Sequence, residues 1–286
     1  MKALFALASP LIAALALATT PAQAAEKAAP LTPAPSDWRP VDAANTLVIE
    51  TNKGVIYVEL TPAVAPATVE RVKKLARAHF YDGLSFFRVI DDFMDQTGDP
   101  KNDGTGGSKE PGLPPEFTFR LGPGMGYSAA DSSQGSESGF IGAFPVNSQP
   151  AAMGALTTDG KVEAYGLFCS GVIGIARAEA LDSGNSQFFL MREQHQALNQ
   201  SYTAFGRVVV GEDVVRAIKV GEPVPEPRDV MTKVFVLGDV PPAQRPNIRV
   251  IDTGSAYFHA LVKRTRETIG DNFTLCDVDV AGEIVK

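Results

Sequence analysis

The residues best placed to do chemistry lie in Phe86-Phe87-Arg88-Val89-Ile90-Asp91-Asp92-Phe93-Met94-Asp95-Gln96-Thr97-Gly98-Asp99. This is an apolar strand broken by one Arg, then a second apolar pair, an amide and a Gly-containing turn. An Arg between Phe and Val has two readings. One is an outward side chain on an edge strand. The other is an Arg at the rim of an aromatic pocket, where its rigid fork of donors grips a carbonyl-rich ligand. Periodicity alone leaves both open. The carboxylates Asp91, Asp92, Asp95 and Asp99 match no calcium-loop spacing and read as solvated loop charge.

Three later stretches decide between the readings: Gly171-Val172-Ile173-Gly174-Ile175-Ala176-Arg177, Ser186-Gln187-Phe188-Phe189-Leu190 and Phe205-Gly206-Arg207-Val208. With the Arg88 stretch they resemble the cyclophilin-type peptidyl-prolyl cis-trans isomerases. The family pattern runs Phe-His-Arg-Val-Ile, Phe-Met-x-Gln-Gly-Gly-Asp, Ser-Gln-Phe-Phe, then a Leu and Phe-Gly-x-Val. The match extends from about Thr46 to Leu237 with one large interruption. Several motifs agree in order, which is far more specific than one short motif.

The resemblance implies a reaction with no proton transfer and no covalent step. Rotating a peptide C–N bond means losing amide resonance, a barrier of about 18–20 kcal/mol. X-Pro bonds isomerise unaided in tens to hundreds of seconds. A catalyst has only to bind the twisted amide better than either planar form. By resemblance, Phe93, Met94, Phe189 and Leu198 form an apolar socket for the proline ring, with Phe205 lining its floor. Arg88 matches the catalytic Arg, which holds the substrate carbonyl and donates toward the prolyl nitrogen. Gln96 matches the amide that orients it. Ala176 and Gln187 match the neighbouring groove for residues preceding proline. Plain core packing is the competing reading of Phe93, Met94 and Phe189; Arg88 and Gln96 nearby argue against it.

Four positions depart from the best-known members. Phe87 and Tyr202 stand where those have His, Arg177 where they have Asn, and Ala197 where they have Trp. Tyr202 can still close the socket and offer a hydroxyl. Arg177 puts a long cation in place of a short amide, so the peptide preference of the groove is left open. Ala197 lacks a donor and contact associated with cyclosporin binding. Weak cyclosporin affinity is therefore expected, and a tight inhibition constant would overturn it.

The elements that must position these residues follow in chain order. Thr46–Thr51 and Gly54–Leu60 flank Asn52-Lys53-Gly54 as a hairpin, with Ile56 and Val58 on one face and Tyr57 and Glu59 on the other. Apolar residues at 69, 72, 76 and 80 predict a helix over 68–80, ended by Asp82-Gly83, with His79 as a structural residue at its end. Gly104-Thr105-Gly106-Gly107 lacks the Lys-Ser/Thr ending and following helix of a phosphate loop and reads as a tight turn. Residues 118–168 form a long Gly- and Ser-rich insert, partly anchored by Tyr127, Phe140 and Phe144; a surface elaboration and a substrate-selecting flap are both open. A strand at Val208–Val210, a short helix over 212–219 and a strand over 233–237 complete the domain, and Pro241-Pro242 marks its boundary.

The fold class expected is mainly β: a closed eight-stranded antiparallel barrel capped by two helices, spanning 42–240. A C-terminal α/β extension, 241–286, has too little core to stand alone and is expected to dock on the barrel. It holds an apolar run over 248–251, a helical stretch over 256–267 and Phe273–Val278.

The 286 residues are 44% hydrophobic and 21% charged, ample for a sizeable core. The net charge of −7 and the absence of a basic run disfavour nucleic-acid binding. Residues 1–24 have a charged start at Lys2, an apolar run from Ala3 to Ala18 and the small-x-small site Ala22-Gln23-Ala24. They read as a secretory signal peptide too short for a comfortable membrane span, followed by a flexible Ala/Pro leader over 25–41. A soluble monomer exported to a periplasm, acting on proline-containing polypeptide clients without lasting membrane insertion, is the expectation. In that compartment Cys169 and Cys276 invite a disulfide tying the extension to the main domain; two independent buried thiols are the alternative. The three histidines are scattered, and no metal site or cofactor is indicated.

A peptide-holding chaperone module using the same groove is the main rival to the isomerase. A hydrolase lacks any recognisable nucleophile, base and orienting acid.

Overall fold

The alternation of apolar residues in Thr46–Thr51 (β1) and Gly54–Leu60 (β2) builds an antiparallel hairpin whose register runs from Thr46↔Glu59 to Thr51↔Gly54. Ile56 and Val58 enter the barrel core, while Tyr57 turns to the opposite face. A helix follows at Pro66–Arg77 (α1), starting two residues before the predicted span and stopping short of Phe80. Its first turn is capped from a distance. Glu116 accepts the Ala67 and Thr68 N–H groups through its two carboxylate oxygens, both at 2.9 Å. That satisfies two orphan donors and places negative charge on the positive end of the helix dipole.

The remaining barrel strands are Arg88–Ile90 (β3), Met94–Thr97 (β4), Val172–Ile175 (β5), Phe188–Met191 (β6), Ala204–Val210 (β7) and Met231–Val236 (β8). A second helix, Glu212–Arg216 (α2), is shorter than predicted. The computed structural model describes residues 31–133 and 135–285; the signal peptide expected over 1–24 lies outside them. Within the described residues no helix is long and apolar enough to cross a membrane.

The eight strands lie in the order β8-β1-β2-β7-β5-β6-β4-β3, each pair antiparallel. The curled sheet does not close by a full ladder, in contrast to the closed barrel expected. Its edge strands β8 and β3 are joined only through the segment before β3. Phe86 N–H donates to Asp229 O at 3.0 Å, Gly83 N–H to Met231 O at 2.7 Å, and Met231 N–H to Leu84 O at 2.9 Å. The physical reason lies in the length of β3 and in the segment the fold sets against it. The strand β3 has three residues, and the facing segment 221–229 carries three prolines, which have no N–H for a ladder.

Asp95 and Asp99 correct the reading of the acidic cluster as solvated charge. Both side chains are buried. Asp99 accepts the N–H groups of Lys101, Asp103 and Gly104 and so shapes the glycine turn. Gly106 must lack a side chain there, because a Cβ would lie 2.0 Å from Asp99 Oδ1. Asp95 Oδ1 accepts from Nε of the buried Arg192 at 2.5 Å, and Asp91 takes its Nη1 at 2.5 Å. Arg192 Nη2 also donates to the Val215 and Ile218 carbonyls at the end of α2. Burial pushes the Asp95 carboxyl up to about 7, against the pull of Arg192.

The insert is a sheet rather than a loose connection. Strands at Phe119–Leu121, Tyr127–Ser133, Ser136–Ile141, Phe144–Ser148 and Val162–Gly166 form one five-stranded antiparallel sheet. Leu121, Phe144, Val146, Val162 and Ala164 from it are buried with the barrel core.

The extension packs on the outer face of β1, β2 and β7. Ile248, Val250, Phe258 and Leu275 share one apolar cluster with Val48, Tyr57 and Val209. Its helix spans Ala256–Ile269 (α3), capped by the Ser255 hydroxyl, which accepts from Phe258 N–H. Asn247–Ile251 pairs with Gly282–Val285 on one side and with Trp38–Pro40 on the other. The leader expected to be flexible over 25–41 therefore holds a strand at 38–40. Its Arg39 meets Glu59 through two hydrogen bonds of 2.7 Å, and Trp38 lies under Arg249. Its strand partners, Arg249 to Ile251, lie more than 200 residues away in the extension, beyond the reach of a local composition argument.

Cys169 and Cys276 are joined as a disulfide, with Cα atoms 5.0 Å apart and a separation of 107 positions in sequence. A cross-link over so long a loop restricts the unfolded chain strongly. The paired change Cys169→Ala and Cys276→Ala is expected to cost about 2–4 kcal/mol, read by urea unfolding of the oxidised wild type beside the variant. Coincident midpoints would refute it.

Candidate active site

Strand register assembles the site. Arg88 on β3 stands opposite Gln96 on β4, Gln96 opposite Phe189 on β6, and Phe189 opposite Gly174 on β5. Four adjacent strands therefore bring one row of residues together, as cross-strand neighbours do on one sheet face. Alternation along β4 puts Met94 and Gln96 on that face and sends Asp95 to Arg192 on the other. Gly174 makes room for the aromatic ring, since a Cβ there would lie 2.6 Å from Phe189 Cζ.

The result is a cavity of about 240 Å³ lined by Arg88, Phe93, Met94, Gln96, Ala176, Arg177, Phe189, Leu198 and Tyr202. Phe189 is its wall, stacked on Phe168 at 5.8 Å and meeting Tyr202 edge-on at 6.0 Å. Leu198 enters from the short helical turn Gln196–Leu198. Such a chamber, with Phe93, Met94, Phe189 and Leu198 as its apolar wall and Arg88, Gln96, Arg177 and Tyr202 as polar neighbours, suits a small ring carrying an amide.

The rim is a relay of amides ending on the Arg. Gln187 Nε2 donates to the Gly104 and Gly106 carbonyls at 3.1 and 2.7 Å, which fixes its orientation. Its Oε1 accepts from Gln96 Nε2 at 3.0 Å, and Gln96 Oε1 lies 3.4 Å from Arg88 Nη1. A second cavity of about 300 Å³ adjoins the first across Gln96, Ala176 and Arg177 and is lined further by Gln187 and Asn185. Phe205 is wholly buried in β7 and lines neither cavity; it supports the core beneath.

A family model for cyclophilin type peptidyl-prolyl cis-trans isomerases matches residues 46–236. The chain belongs to this family. A cyclophilin crystal structure from Hirschia baltica has 31% sequence identity and superposes with a TM-score of 0.79, covering 87% of this chain and 94% of its own. A probable peptidyl-prolyl cis-trans isomerase of Brucella suis is 33% identical over 191 residues, spanning 63% of this chain and 74% of that protein. Peptidyl-prolyl cis-trans isomerase B of Bacillus subtilis is 31% identical over 183 residues, spanning 64% of this chain and 91% of that one.

Within this cyclophilin the four departures have visible settings. Arg177 is pinned between rings, 4.6 Å from the Tyr202 centroid and 5.6 Å from that of Phe117. Its guanidinium donates to the carbonyls of Ser201, Ala178 and Glu179, so it stands as a fixed cationic wall between the two cavities. Tyr202 thus gains a cation on its face and an aromatic neighbour at its edge. Phe87 is buried beside Gly104, and Ala197 is exposed and adds no aromatic surface.

Two site neighbours escaped sequence reasoning. His195, counted among the scattered histidines, lies with its ring 4.7 Å from that of Phe93. Glu222 accepts Arg88 Nε at 2.5 Å from 134 residues away. No local pattern marks either one. Among the described residues no cluster of three or more His, Cys, Asp or Glu could hold a metal ion.

Proposed function

We propose that this cyclophilin accelerates X-Pro isomerisation in exported, proline-containing polypeptides by binding the twisted amide. Residues Phe93, Met94, Phe189, Leu198 and Tyr202 take the proline ring. Arg88 donates to the substrate carbonyl and toward the prolyl nitrogen as it becomes pyramidal, which lowers the barrier only if the contact strengthens in the twisted state. Gln96 holds Arg88, and Ala176 and Gln187 receive the residues before proline. The observation that carries the reading is Arg88 at the edge of a chamber of about 240 Å³ walled by Phe93, Met94, Phe189 and Leu198, in hydrogen-bond reach of an amide relay.

Export to a periplasm, as a monomer, belongs to the same proposal. The charged start, apolar run and small-residue site over 1–24 support it, and so does a disulfide, which persists in oxidising compartments.

A protease-coupled or NMR-exchange assay on an Ala-Pro peptide tests the catalytic reading. Acceleration well beyond the uncatalysed rate is expected. Unaccelerated exchange at micromolar protein would leave a peptide-holding module in its place.

A further inference from the structure

We propose that Glu222 is a positioning residue that fixes the Arg88 guanidinium before substrate arrives, an inference that rests on the isomerase reading above. Arg88 stands on a strand of three residues at the edge of the sheet, and the other face of that strand's edge is occupied by the segment 219–229. This segment is attached on both sides of Arg88. Val89 and Gly221 exchange backbone hydrogen bonds of 2.8 and 2.9 Å, and Val224 N–H donates to Phe87 O at 2.9 Å. Glu222 falls between those two attachments and so faces Arg88.

The segment is itself held firmly. Val224 is buried, Asp229 accepts Lys219 N–H at 2.8 Å, and Arg228 Nη1 donates to Asn102 O at 2.6 Å. Glu222 is thus a carboxylate presented by anchored backbone. It engages Arg88 at Nε, while Gln96 engages Nη1. A guanidinium has five N–H donors in one plane. Two contacts on that plane fix its tilt and rotation and leave three N–H groups for a ligand carbonyl.

The Arg88 side chain is 36% exposed and that of Glu222 55%, so the pair adds little to stability. Its consequence lies in the reaction. A long side chain loses rotamer freedom when it grips a substrate. Glu222 imposes that loss in advance, so less is lost on binding the twisted amide.

The test is a kinetic cycle joined to an NMR measurement on the full-length mature protein. Glu222→Ala is expected to lower kcat/KM for an Ala-Pro peptide roughly three- to fivefold, the order an exposed ion pair can supply. Glu222→Gln, whose amide oxygen still accepts from Nε, should lose less. In an Arg88→Ala background Glu222→Ala should cost nothing further, and in the wild-type background it should lower the order parameter of the Arg88 Nε–H bond. An unchanged kcat/KM, or an equal loss in both backgrounds, overturns the proposal; the latter would mark Glu222 as merely structural. Should Glu222→Ala fail to fold, Glu222→Leu, which also lacks an acceptor, carries the cycle by the same criteria. A wild type without catalysis would sink the isomerase reading, while the order parameter would still decide whether Glu222 holds Arg88.

Discussion

Arg88→Ala is expected to reduce kcat/KM for an Ala-Pro peptide by about 100- to 1,000-fold, the scale of losing one preorganised donor at a site of developing charge. The structure gives the change a narrow meaning. Phe93, Met94, Phe189, Leu198 and Tyr202 line the chamber from other segments and remain in place. The proline socket should therefore persist, and the loss should fall on kcat more than on peptide affinity. An NMR-exchange assay resolves both, because the bound fraction and the exchange rate are fitted together. A loss below tenfold would mean that the apolar chamber, and not Arg88, supplies the catalysis. Complete loss of peptide binding would mean that Arg88 is a binding residue for the planar ground state.

Arg192→Leu is expected to cost about 3–5 kcal/mol at pH 8, as breakage of a buried ion pair does. Arg192 and Asp95 are both buried, and the change removes the Arg192 donor from the Asp95 carboxylate and the Ile218 carbonyl. The sign of the pH dependence follows from Asp95. Its carboxyl lies at about 7 in the fold against 3.8 ordinarily. The folded state thus holds a proton that the unfolded chain releases, which stabilises fully below about pH 4 and is lost as pH rises through about 7. Removing the Arg192 cation raises the carboxyl further, so the variant should be hurt more at pH 8 than at pH 4. Urea unfolding at the two pH values measures this. The double change Arg192→Leu with Asp95→Leu should recover part of the loss, since an apolar pair leaves no buried charge behind. A pH-independent cost with no recovery would show that Arg192 acts by packing alone.

The two predictions draw on opposite faces of the same short strand. Along β4, Gln96 serves the cavity and Asp95 serves the core. A one-residue slip in β4 would exchange them, so the buried Asp95–Arg192 pair also helps fix the register on which the site depends.

Much of this was written in local sequence. The motifs around Arg88, Ser186 and Phe205 carried the family, and with it the apolar chamber and its rim. The period-2 alternation of β1 and β2 and the helical period of α1 were legible because each element buries one face, and a buried face leaves a repeating mark. Gly104–Gly107 read as a turn because it is glycine-rich and lacks the Lys-Ser/Thr ending and following helix of a phosphate loop; that Gly106 must make room for Asp99 only the fold shows. The strands of the insert were not legible. Tyr127–Ser133 is built from Ser, Ala and Asp, which favour strands poorly, and neighbouring strands rather than propensity hold it extended.

Only the tertiary structure decided the rest. Asp95 and Asp99 read as loop charge because their partners, Arg192 and a ring of backbone N–H groups, are set by the fold. The open seam between β3 and β8 depends on where a proline-bearing segment lies in space. Cys169 and Cys276 could be read as a pair or as two thiols until the fold brought positions 107 apart together. Glu222 reached Arg88 across 134 residues. The sequence determined which residues could do the chemistry, since side-chain type and short spacing are local properties. Which charges are buried, paired or aimed at Arg88 depends on long-range contacts, and no local pattern records those.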